Sequence, residues 1–116
     1  MATWSDVVEM GKRFPGVEEG TWYRTPALKI AGKGGFCRLR EDPDALVMRV
    51  PDEEDKEALM QGDPDVFFTT PHYDGYAFVL VRLDKVDDAQ LAELVEDGWR
   101  SRASKKLIAE FDSDNE

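Results

Sequence analysis

The chain predicts an α+β domain, an antiparallel sheet with helices packed on one face, and three observations predict it. Ala77 to Leu83 is a β-branched, aromatic and aliphatic run bounded by Asp74-Gly75 and Asp84-Lys85, which reads as a central strand. Directly after it, Asp87 can cap a helix with Gln90 reaching back from its third position, and Val86 can clasp Leu91. Leu91, Leu94, Val95, Gly98 and Trp99 then keep the spacing of one buried helical stripe. Third, the chain from Ala27 to Val50 holds three alternating runs joined by short turns, the pattern of two consecutive hairpins.

Taken in order, Thr3-Trp4-Ser5-Asp6 has capping-box spacing, and Trp4, Val7, Val8, Gly11 and Phe14 trace a helix over residues 4–13. Gly16 to Gly20 reads as a turn, Thr21-Trp22-Tyr23 as a short edge strand, and Pro26 as its interruption. The hairpin strands are Ala27 to Ala31, Phe36 to Arg40 and Ala45 to Val50, with turns at Gly32 to Gly35 and Glu41 to Asp44. Alternation assigns Leu28, Ile30, Cys37, Leu39, Leu46, Met48 and Val50 to the inward face and Lys29, Arg38, Arg40 and Arg49 to the other. Pro51 to Gly62 reads as an acidic-starting helix that only Leu59 and Met60 can dock. Val66 to Thr70 is a short strand, Pro71 to Gly75 a loop, and Ser101 to Glu110 a terminal helix. The expected organisation is one domain over residues 1–111 and an acidic tail over 112–116 that frays, with a sheet of five or so strands.

With 116 residues the chain can build a core without staples, and its single cysteine, Cys37, excludes an intrachain disulfide and fits a reducing compartment. No apolar run approaches the roughly 20 residues of a membrane span, and no signal sequence is evident. A cytoplasmic monomer without membrane contact or cofactor is expected. The formal charge of −10 argues against indiscriminate nucleic-acid binding, which draws on phosphate neutralisation by Lys and Arg. Any such site must be a local basic patch.

Phe14-Pro15-Gly16-Val17-Glu18-Glu19, the hairpin strands, Asp63-Pro64-Asp65-Val66-Phe67 and the closing Trp99-Arg100 with Ala103-Ser104-Lys105-Lys106-Leu107 together resemble the MmcQ/YjbR family over almost the whole chain. The resemblance implies a frataxin-like α+β fold and, as an expected function, DNA binding through a double-wing motif. It supplies no nucleophile, metal ligand or cofactor site.

The leading candidate site is the outward sheet face, where Lys29, Arg38, Arg40 and Arg49, with Lys33 in a turn and Arg82 and Phe78 from the central strand, make a basic surface carrying an aromatic platform. Arginine forks hold phosphates and rings stack bases, so this surface suits a nucleic acid. The competing reading is a solvated face whose arginines pair with Glu41, Asp42 or the acidic second helix. Arg100, Arg102, Lys105 and Lys106 form a second basic group, explained in large part by favourable placement at helix ends. His72, Tyr73 and Tyr76 lie in a loop that could shape a pocket. One histidine cannot make a multi-histidine metal site, and a Cys37–His72 dyad would need Cys37 to face outward. The carboxylates Asp52, Glu53, Glu54, Asp55 and Glu57 read as a solvated helix face in preference to a cation site. The expected function is a non-enzymatic binding protein with DNA as ligand; the alternative is a protein-interaction or small-ligand module using the same sheet face or its edge.

Overall fold

Thr3 starts the first helix, α1 (Trp4–Gly11), through the anticipated reciprocal cap: its Oγ1 accepts from the Asp6 amide at 3.3 Å, and Asp6 Oδ2 accepts from the Thr3 amide at 3.0 Å. The computed structural model describes residues 2–40 and 45–114. The chain continues as β1 (Val17–Trp22), β2 (Thr25–Ile30), β3 (Gly34–Arg40), β4 (Ala45–Arg49), α2 (Glu53–Gly62), β5 (Phe67–Phe68), β6 (Phe78–Arg82), α3 (Asp88–Arg102) and α4 (Lys105–Asp114). Among the described residues one antiparallel sheet of six strands forms, in the order β1-β2-β3-β4-β6-β5. The α+β architecture is therefore as anticipated.

The inward face is also as read from the alternation. Leu28, Ile30, Cys37, Leu46, Met48 and Val50 are buried against Val7 of α1 and Leu91, Val95 and Trp99 of α3, with Leu39 half-buried beside them. One irregularity was not anticipated: Leu28 opposes Cys37 while Lys29 opposes Gly35, so Phe36 is an extra residue in β3. The bulge turns Phe36 inward beside Cys37, and both are fully buried. Trp99 lies at the centre of the helix layer, its Nε1 donating to the Pro15 carbonyl at 3.0 Å and its ring stacked on Phe14 at 5.0 Å. Phe111 of α4 closes this cluster, 5.4 Å from Trp99 and 5.0 Å from Phe14.

Several boundaries differ from the sequence expectation. The stretch Gly16 to Gly20 is not a turn beyond Gly16, because β1 already begins at Val17 and pairs with β2 through Val17 opposite Ile30. Glu18, Glu19 and Thr21 are exposed on an edge strand, so no alternation marks it. Pro26 lies within β2 and does not interrupt it: it opposes Thr21, one residue before the ladder to β3 starts at Ala27 opposite Arg38. The strand expected from Val66 to Thr70 shrinks to two residues, the first and last helical segments shift by a few positions, and α4 runs through Asp112 to Asp114. Asp112 is anchored there, accepting from Arg100 Nη2 at 2.7 Å. The turn over Glu41 to Asp44 lies outside the described residues.

The helix α2 stands at the β5–β6 end of the sheet. Asp52 caps it by accepting from the Asp55 amide at 2.8 Å, and the half-buried Leu59 and Met60 pack on the core. It therefore leaves the outward sheet face to a different cover, the loop between β5 and β6.

Candidate functional site

Strand register arranges the outward face in rows, because directly opposed residues share a face. Arg40, Ala45 and Arg82 form one row; Ala27, Arg38, Val47, Leu80 and Phe68 form the next; Arg49 and Phe78 belong to the third. This face is not the open basic surface that the alternation suggested. Ala45, Val47, Leu80 and Tyr73 make a second, smaller core, with Phe68 and Phe78 packed against it.

The cover is Tyr73, which the β5–β6 loop lays over the sheet. Its hydroxyl accepts from Arg38 Nε at 3.0 Å and Nη2 at 2.7 Å, and Thr25 Oγ1 accepts from Arg38 Nη1 at 3.3 Å. Arg38 is only 8% exposed, so it is withdrawn from the surface and cannot act as a free fork. From the opposite side, Lys56 of α2 donates to the carbonyls of Tyr73 at 2.6 Å and Tyr76 at 3.0 Å. Burial pushes the Lys56 ammonium below its ordinary pKa, with Asp74, Glu53 and Glu57 opposing that shift. These two buried cations hold the loop.

Neither buried cation has a carboxylate within ion-pair distance among the described residues, where the ion pairs are Lys12–Glu19, Arg100–Glu96 and Arg100–Asp112. A buried charge without a counter-charge is costly unless polar neighbours or a ligand offset it. Above Arg38 lies a depression of about 410 Å³ lined by Tyr23, Thr25, Arg38, Arg40, Thr70, His72 and Tyr73. It runs into a second of about 310 Å³, to which Trp22, Tyr76 and Phe78 add walls. His72 stands edge-on to Tyr23 at 5.8 Å and to Tyr73 at 4.7 Å, and the Arg38 guanidinium lies 5.1 Å from the Tyr23 ring centre. Tyr23 and Tyr76, at 59% and 62% exposed, present two rings to solvent at the rim.

Tyr23 is there because of a strained turn. Tyr23 and Arg24 both have positive φ, 53° and 63°, in the two-residue connection of β1 to β2, a conformation that favours Asn or Gly. Trp22, just before it, reaches across to Gly35 and Phe78: its ring comes within 2.9 Å of where a Gly35 Cβ would stand and lies 5.5 Å edge-on to Phe78. Trp22 and Tyr23 are site residues that the sequence reading assigned only to an edge strand. The turn's unfavourable residues, an aromatic and an arginine where Asn-Gly is expected, were the available signal.

The other anticipated cations are spread out. Arg82 lies 4.2 Å from the Phe68 ring centre and donates to the Pro64 and Asp65 carbonyls, each at 3.3 Å. Lys29 runs its stem along Gly20, and Lys33 is exposed in the β2–β3 turn. Arg49 lies 5.7 Å from the Phe78 ring centre. Arg40 lines the depression, so the structure joins Arg38, Arg40, Phe78, His72, Tyr73 and Tyr76 and leaves Lys29, Lys33, Arg49 and Arg82 outside the lining. Cys37 is on the helix side of the sheet, away from His72, and burial pushes its thiol pKa far up.

The chain as a whole matches known proteins in sequence and in fold. A YjbR family model matches residues 12–101. The uncharacterized proteins Rv2570 of Mycobacterium tuberculosis and Mb2600 of Mycobacterium bovis are each 35% identical, with 96% of both chains covered. The crystal structure of Deinococcus radiodurans protein DR2400, with a DUF419 domain, superposes with a TM-score of 0.76 at 22% identity, covering 97% of this chain and 89% of that one. The solved structure shares the fold, the sequence relatives share the length, and the family match spans most of the domain: the chain belongs to the YjbR family.

Proposed function

We propose that this protein is a non-enzymatic binding protein that takes single-stranded nucleic acid in the groove on its outward sheet face. The observation that carries the reading is the pair of adjoining depressions in which the exposed rings of Tyr23 and Tyr76 stand at the rim, Arg40 lines the wall and the buried Arg38 makes the floor positive. Stacking on such rings is sequence-tolerant and contributes about 1–3 kcal/mol per base, which offsets the long-range repulsion between an acidic protein and a polyanion. Arg40 supplies the phosphate contact at the groove wall. Duplex DNA fits less well, because Arg38 and Arg82 are engaged within the protein and a closed duplex offers no splayed base for the rings.

The depth of Arg38 also favours a second reading, a small anionic ring compound such as a nucleotide, since a depression of about 410 Å³ falls in the usual range for small-molecule sites. Fluorescence anisotropy of labelled single- and double-stranded DNA, at low and near-physiological salt, tests the first reading. Arg40→Glu and Tyr76→Ala each weaken single-strand binding by about tenfold if phosphate contact and stacking carry it. Absence of binding at low salt ends the nucleic-acid reading. Saturable nucleotide binding in that case establishes the second.

A further inference from the structure

The groove does not end at Phe78. Arg49, the last residue of β4, opposes Phe78 and places its guanidinium beside that ring. Arg102, the last residue of α3, comes to the same end of the sheet from the helix layer. Gly98, one turn earlier in α3, packs on the Arg49 carbonyl oxygen, 3.1 Å from where a Cβ would stand. The Arg102 Nη2 lies 3.2 Å from the corresponding point on Gly34. Gly35, the next residue, is the one covered by Trp22.

Both arginines thus come to the corner of the sheet where β3 begins and β4 ends, and they do so as like charges. The proximity of Arg102 adds to burial in lowering the Arg49 pKa. Among the described residues, the buried side-chain nitrogens with no acceptor are Arg49 Nε and Arg102 Nε. Other arginines of the fold are provided for: Arg100 has Glu96 and Asp112, Arg82 has two carbonyls, and Arg38 has Tyr73 and Thr25. Position at a helix C-terminus accounts for Arg102 on α3, but it does not account for a second arginine placed against it. Both residues are half-buried, neither fully withdrawn from the surface.

We propose that Arg49 and Arg102 form an oxyanion site that holds a phosphoryl group between two guanidinium forks at the Phe78 end of the groove. A phosphate bridging the outer nitrogens of the pair cancels the repulsion and lets the side chains turn their buried Nε–H groups toward an acceptor, and two planar forks suit a tetrahedral oxyanion. The phosphoryl group comes either from a free phosphate or from the backbone of a strand whose bases lie on Trp22 and Phe78. The second source rests on the proposed nucleic-acid reading; the first does not.

The test is a titration of the intact protein with inorganic phosphate, and separately with hexathymidylate, followed by ¹H–¹⁵N spectra of the arginine Nε–H groups. Phosphate is expected to shift the Arg49 and Arg102 Nε–H resonances. That response is lost in Arg49→Gln and in Arg102→Gln and kept in Lys85→Glu, a change in the exposed turn beyond the Arg82 end of β6. Arg102→Lys serves as a second variant that keeps the charge without the fork, and it retains a weaker response. In phosphate-free buffer Arg102→Gln melts no lower than the parent, because a repulsion is removed; an arginine with a purely structural role would lower the melting temperature when replaced. Phosphate shifts without a hexathymidylate response support the site with free phosphate as its source and count against the groove reading alone. No shift of either Nε–H with millimolar phosphate, or a shift that survives Arg102→Gln unchanged, overturns the proposal.

Discussion

Arg38 donates two hydrogen bonds to the single phenolic oxygen of Tyr73, from Nε at 3.0 Å and Nη2 at 2.7 Å, across 35 positions of sequence. This contact turns a sheet face that would be open and basic into a covered one with a cation at its floor. Tyr73→Phe removes the acceptor and leaves the buried guanidinium donors unmet, so it is expected to cost about 1–3 kcal/mol in urea denaturation. A loss below about 0.5 kcal/mol, the ordinary range of a surface change, would show that the Arg38–Tyr73 bond is not what holds the loop.

The β1–β2 connection sets stability against function. Tyr23 and Arg24 both occupy the left-handed region, which costs roughly 1–2 kcal/mol per ordinary residue. The double change Tyr23→Asn, Arg24→Gly suits this turn and is expected to raise the melting temperature while removing the exposed ring of the groove. Single-strand binding then weakens in a more stable protein. A variant that is more stable and binds undiminished would exclude Tyr23 from the ligand site.

Lys56 carries a pH dependence whose sign follows from its burial. Its folded pKa lies below the ordinary 10.5, so between the two values the unfolded chain binds more protons than the folded one. Stability contributed by this residue therefore rises with pH through that window, is lowest below the folded pKa and levels off above 10.5. The difference in unfolding free energy between the parent and Lys56→Met, measured from neutral pH to the upper end of the window, is expected to move in the parent's favour. A flat difference would mean that the ammonium loses no solvation in the fold.

Gly98 is where α3 packs closely on the end of β4. An added Cβ would stand 2.6 Å from the Met48 sulfur and 3.1 Å from the Arg49 carbonyl oxygen, and the second of these is backbone. Gly98→Ala gains about 1 kcal/mol of helix propensity and is still expected to be net destabilising, since overpacking typically costs about 1–3 kcal/mol. Thermal unfolding of the variant decides it, and an unchanged or higher melting temperature would show that the helix can shift outward freely.

Trp99 is fully buried and joins three parts of the chain through Pro15, Phe14 and Phe111. Trp99→Ala is expected to cost about 3–5 kcal/mol, a large share of a small domain's stability. Chemical denaturation monitored by far-UV circular dichroism measures it; a cost near 1 kcal/mol would mean that the helix layer collapses to fill the space.

Much of the fold was legible locally. The Thr3–Asp6 cap, the Asp87 cap and the stripe from Leu91 to Trp99 follow from interactions within one or two helical turns, where spacing along the chain is spacing in space. The inward set from Leu28 to Val50 follows from the two-residue period of a strand and the need to bury apolar surface. What escaped the sequence has non-local causes. The edge strand β1 is solvated on both sides, so it carries no alternation, and the extra residue Phe36 becomes a bulge only because of the register that β2 imposes.

The candidate site divides in the same way. That Arg38, Arg40, Arg49, Phe78 and Arg82 share the face opposite the core follows from alternation along each strand, which fixes side-chain direction. Which of them lie open to solvent is settled by the packing of the whole chain. Whether a side chain is buried depends on what the rest of the chain lays over it: Tyr73 over Arg38, the Phe68 ring against Arg82, and the end of α3 against Arg49. Those partners come from segments distant in sequence, and no local period encodes which one arrives.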